Sequence, residues 1–145
     1  MSSIELDNLV KSGVLKREPA DQIEFDGLLD SGKKRLIDAT KEGLSDDSQF
    51  DLAYNAAHAL SLAALRWHGY RPNKLRFIVF QALRHTLGLK PDLWRIFDKS
   101  HNNRNSAEYE GYFNVDKQLL TELVRATEIV RKAVEKLGPV PKKRV

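Results

Sequence analysis

Apolar residues recur along this chain with the three-to-four-residue period of amphipathic helices, and glycine, proline or a capping side chain separates the segments so defined. A short helix over Ile4 to Val10 is expected to stop at Gly13 and to lie as a lid on the main body. A second takes Pro19 into its first turn and runs to about Lys41. Ile23, Leu28, Leu29, Leu36 and Ile37 supply its contacts, Gly27 and Gly32 sit within it, and Gly43 follows it. Ser45 is placed to cap a third helix, Asp46 to His68, which is apolar on nearly every side and is therefore expected at the centre, with Gly69 as its stop. A fourth is expected over Asn73 to Leu87, burying Leu75, Ile78, Val79, Ala82 and Leu83. Its β-branched run Phe77-Ile-Val-Phe80 reads as a strand only in isolation. Pro91 opens a fifth, and Asp116 caps a sixth that carries Leu120, Leu123, Val130, Val134 and Leu137 along one side.

No strand stands out. Short connections make neighbouring helices antiparallel, so the expected fold is all-α: an up-and-down bundle of four long helices over 45–138. A helical N-terminal extension over 1–44 packs on it, and a disordered basic tail occupies 139–145.

The fifth helix breaks its own pattern. Its inward stripe begins with Leu93 and Phe97, and steps of three or four residues carry it next to His101, Arg104 and Glu108. A buried guanidinium needs partners for five fixed N–H donors, so this stripe either holds an ion pair or opens into a cleft. An Arg104–Glu108 pair on a solvated surface is the plainer alternative.

Composition narrows the chemistry further. At 145 residues and 41% hydrophobic, the chain can bury one sizeable core without staples. It has no cysteine, which removes thiol nucleophiles and zinc-thiolate sites and fits a reducing, cytoplasmic setting. His58, His68, His85 and His101 lack metal-ligand spacing, so neither a metal nor another cofactor is expected. The first residues do not read as a secretory signal, and the apolar run from Ala56 to Leu65 is too short for a bilayer. A net charge of +4, from 24 basic against 20 acidic residues, permits contact with nucleic acid without requiring it. Arg71, Lys74 and Arg76, in and beside a loop with Tyr70, form a candidate phosphate-contacting rim. His58, which can share a face with Tyr54, reads as a core histidine satisfied by a hydrogen bond rather than a catalytic base, and Trp67 and Trp94 as core anchors rather than base-stacking platforms. Neither a Gly-x-Ser-x-Gly elbow nor a phosphate-cradling glycine loop is present.

Two segments carry a resemblance. Asp51-Leu-Ala-Tyr-Asn-Ala-Ala-His-Ala59 on the central helix, followed downstream by Arg104-Asn-Ser-Ala-Glu-Tyr109, resembles the HEPN domain of prokaryotic proteins over roughly Ser45 to Leu137. The resemblance implies a homodimer, often paired with a nucleotidyltransferase-type partner in a toxin–antitoxin or defence system. Active members are metal-independent ribonucleases whose Arg and His line a cleft between subunits.

The chain departs from that pattern at one point. Tyr109 stands where the Arg-Asn-x-x-x-His motif has its histidine, and no histidine follows His101. It is similar instead to a subgroup with an acidic residue and Tyr at this interval, here Glu108-Tyr109. The resemblance implies that Arg104 binds or polarises a phosphate, that Asn105 orients it and that Tyr109 fills the histidine's place. His101, one turn before Arg104, is a candidate substitute base. The expectation is a binding or regulatory RNA- or nucleotide-directed component. The alternatives are an active ribonuclease toxin built on Arg104, and a non-catalytic helical scaffold.

Overall fold

The computed structural model describes residues 4–110 and 116–141, those from 105 to 110 by their backbone alone. Most described residues are helical. The elements are α1 (Ile4–Lys11), β1 (Leu15–Arg17), α2 (Gln22–Ala39), α3 (Asp46–Trp67), β2 (Tyr70–Pro72), α4 (Ile78–Gln81), α5 (Leu83–Thr86), α6 (Pro91–Glu110) and α7 (Lys117–Glu135).

Helix starts follow capping chemistry. The Ser45 hydroxyl accepts from the Ser48 amide at 3.1 Å, and the Asp116 carboxylate accepts from the Gln118 amide at 2.9 Å, satisfying donors that have no intrahelical partner. In α2 the cap is Asp21, which accepts from the Glu24 amide at 2.9 Å. Pro19 therefore stays outside the first turn where the pattern had put it. Gly69, with φ of +87°, adopts the left-handed conformation that turns the chain out of α3.

The central position of α3 follows from its alanines. Ala53, Ala56, Ala57, Ala63 and Ala64 are buried, and α2, α7 and the shorter elements pack around them. The most extensive contact is between α2 and α3, where Leu60 lies against Gly32. Inward residues of α2 are Phe25, Leu36 and Ala39, whereas Ile23 and Ile37, expected to make contacts, face outward. One hydrophobic core runs from Leu6, Leu15 and Phe25 through α3 to Phe97 and Val134, crossing the expected boundary at residue 44.

Two expectations are corrected between α3 and α6. A two-stranded antiparallel sheet pairs Leu15 with Pro72 and Arg17 with Tyr70. The expected helix over Asn73 to Leu87 is instead a loop and two single turns. The Asn73 amide and side chain bond to the Val14 and Gly13 carbonyls, which holds this residue at the end of the sheet, and Leu75 is exposed. Ile78, Val79 and Phe80 are all buried, which a one-faced helix cannot achieve with three consecutive residues, and Ala82 both ends α4 and begins α5.

A buried ionic cluster ties the N-terminal segment to α3. Arg66, 1% exposed, donates to Glu24 at 2.7 Å and to the carbonyls of Glu18, Pro19 and Tyr70. After α7, Trp67 Nε1 donates to the Gly138 and Pro139 carbonyls and the Val140 amide donates to Gln22, so the tail begins as a packed segment through Val140. Among the described residues no helix is long and apolar enough to cross a membrane.

Candidate functional site

On α3 the spacing of Asp51, Tyr54 and His58 places them on one face. On α6 the same rule aligns Phe97, His101 and Arg104. The two rows meet across a cluster of rings supplied by Phe77 and Phe80. Phe80 stacks on Phe97 with centroids 4.9 Å apart and lies 5.7 Å from Tyr54, while Phe77 lies 4.5 Å from the His101 ring. Phe97 is fully buried, and exposure rises along α6 until the Arg104 side chain is 35% accessible. The polar end of the stripe thus emerges from the core at the surface.

Each polar group has a definable environment. The Tyr54 hydroxyl and His101 Nδ1 are 2.8 Å apart, so one donates to the other according to the imidazole tautomer. Arg104 holds its guanidinium carbon 4.9 Å from the centre of the Tyr54 ring, a cation–π arrangement, and its Nη2 lies 3.5 Å from Asp51. That distance exceeds the roughly 2.7–2.9 Å of a good charge-assisted hydrogen bond, and Asp51 is more than half exposed. Exposed pairs of this kind contribute about 0–1 kcal/mol. Arg104 can therefore exchange Asp51 for an incoming anion at little energetic cost.

His58 lies on the inner side of this face, its ring edge-on to Phe80 at 5.9 Å. Burial, with the cations Arg76 and Arg104 adding to it, pushes its pKa down to about 4. It is neutral at pH 7. Its Nε2 is buried without a hydrogen-bond partner, while the ring is hydrogen-bonded to the Arg76 backbone, so His58 is the hydrogen-bonded core histidine expected, and the Tyr54 hydroxyl beside it bonds to His101.

Of the sequence candidates, His101 and Arg104 come together. Asn105, Glu108 and Tyr109 continue the same helix, and their side chains lie outside the described residues. The proposed rim divides. Arg71 is held by Glu18 and Glu24 at 2.7 and 2.6 Å, while Lys74 and Arg76 are exposed, with Arg76 close enough to His58 to act on its charge. Of the site residues, Asp51 was not singled out from the sequence, and His58 only as a core histidine. Their i, i+7 spacing about Tyr54 was visible, but nothing local showed that α6 would face it.

Compared with protein-family models, with curated proteins and with solved structures, the chain matches none.

Proposed function

We propose that this chain is a HEPN-type helical bundle over roughly Ser45 to Leu137 with α2 packed on α3, an RNA- or nucleotide-directed component of a toxin–antitoxin or defence pair that binds its target rather than cutting it. The observation that carries the reading is the position of Arg104, stacked on Tyr54 and loosely paired with Asp51 at 3.5 Å. The two segments on which the resemblance rests are distant in sequence, and these contacts bring them together. A guanidinium held flat on an aromatic ring, with a replaceable carboxylate beside it, is suited to bidentate capture of a phosphate. Arg76 adds positive charge nearby. A homodimer presenting two such sites, and a nucleotidyltransferase-type partner, belong to the same proposal.

Binding is favoured over cleavage because the motif's general base is replaced by Tyr109. A tyrosine of ordinary pKa, about 10, is a poor proton acceptor at neutral pH. One observation favours the second reading, a metal-independent ribonuclease. The Tyr54–His101 bond fixes an imidazole one turn before Arg104, as an oriented base would require.

The experiment incubates the purified protein with labelled single-stranded RNA in chelator and measures binding and products. On the first reading RNA stays intact, and Arg104→Ala weakens binding roughly tenfold to a hundredfold, as for loss of a charged hydrogen bond. Cyclic-phosphate products from the wild type, lost in both Arg104→Ala and His101→Asn, would establish the second. Neither binding nor cleavage would overturn both and leave a helical scaffold.

A further inference from the structure

Away from Arg104, a cavity of about 380 Å³ opens between α1, α4, α5 and the start of α6, within the range of about 300–1,000 Å³ typical of small-molecule sites. Its floor is Ile78 and Leu83, almost wholly buried, and the half-buried indole of Trp94 forms one wall. Three exposed cations, Arg84, Lys90 and Arg95, stand around it, and among the described residues no carboxylate lines it. Asp92 reaches Arg95 only at 3.8 Å between two largely exposed side chains, a contact worth little. Arg84 Nε donates to His85 Nε2 at 3.2 Å, and burial, with the Arg84 charge adding to it, lowers the His85 pKa. Glu5 acts on His85 in the opposite sense but does not line the cavity.

We infer that this cavity binds a free nucleoside monophosphate, its base against Trp94 and the apolar floor and its phosphate among Arg84, Lys90 and Arg95. The apolar slot with an aromatic wall suits a flat heteroaromatic ring, and the clustered cations suit a dianion. An alkyl-chain anion fits less well. It would set hydrocarbon against Gln81 and Trp94, both of which line the cavity, whereas a heteroaromatic base offers polar edges as well as a flat face. The inference does not depend on Arg104 or on the HEPN reading.

The test titrates AMP into the full chain and follows binding by calorimetry and by the emission of Trp94. Saturable binding is expected, weakened by at least roughly tenfold when the phosphate is absent, as in adenosine, consistent with loss of charge-assisted contacts. The triple variant Arg84→Gln, Lys90→Gln, Arg95→Gln alters only exposed side chains. It is expected to keep its thermal midpoint while losing AMP affinity by a similar factor, and Trp94→Leu is expected to weaken AMP and adenosine alike. Absence of saturable AMP binding would overturn the proposal, as would equal affinity for adenosine or for a fatty acid, or binding of oligoadenylate without AMP. Loss of AMP binding in Arg104→Ala instead of the triple variant would assign the nucleotide to the α3/α6 site, and so also overturn it.

Discussion

His58 shows how strongly a residue's meaning depends on what packs over it. In the sequence it is one polar residue in an alanine-rich helix. In the fold it is covered by Phe80 and flanked by two arginines, so protonating it would place a third positive charge in a partly dehydrated spot. The folded pKa of about 4 lies below the ordinary value of 6.5. Between these values the unfolded chain binds a proton that the folded chain refuses. Stability from this group is therefore complete above about pH 6.5 and is lost as the pH falls toward 4. The loss is of order 2–3 kcal/mol. Wild type and His58→Gln, unfolded in denaturant across pH 7 to 4, should diverge through this window, with the variant's stability falling less. Parallel curves would show that His58 titrates normally. His68 and His85 are shifted in the same direction by burial, and so are present equally in both proteins and cancel in the comparison.

At the scale of elements, the contact between α2 and α3 separates two glycines that look alike in the sequence. A Cβ on Gly27 would meet nothing within 4 Å, while one on Gly32 would lie 2.5 Å from Leu60 Cγ. Leu60 is fully buried and has nowhere to withdraw. Gly27→Ala should stabilise by about 0.5–1 kcal/mol, the helix-propensity gain. Gly32→Ala makes the same gain against an overpacking cost of about 1–3 kcal/mol. Thermal melts should move upward for the first and downward for the second, and an upward shift for both would mean that α2 is not seated on Leu60. Legibility followed the same division. The caps Ser45 and Asp116, the stop at Gly69 and the stripe of α7 were readable because caps, stops and period are local. The strands were not, since three residues are too few to establish a period and Leu15 pairs with the distant Pro72. Nor was the break at Ala82, which arises from burial on several sides at once. The α6 stripe was legible as an anomaly, yet its partners Tyr54 and Asp51 required the packing of α6 on α3.

For the whole molecule, the question is whether residues 1–44 are an appendage or part of the body. The expectation of an extension packed on the bundle rested on helix order, and burial ties it in more closely: Leu6, Leu15 and Phe25 enter the same core as Leu60 and Val130. Burying one such side chain stabilises by roughly 1.5–3 kcal/mol, and domains are stable by only about 5–15 kcal/mol in total. Arg66 sharpens the argument. Its carboxylate partners Glu18 and Glu24, and two of the three carbonyls it reaches, come from this segment. Cutting the segment away would leave a guanidinium that was 1% exposed without its counter-ions, a change that costs about 3–5 kcal/mol where the site stays closed to water. The 45–145 fragment should therefore lack a cooperative transition in urea and show less helix by far-ultraviolet circular dichroism than its share of the full chain. The full chain should unfold in a single step, with tryptophan emission from Trp67 and Trp94 tracking the loss of helix. A fragment that unfolded cooperatively with its helices intact would restore the boundary at residue 44. In that event the clasp at Arg66 would be a surface attachment, and the bundle would close without α2.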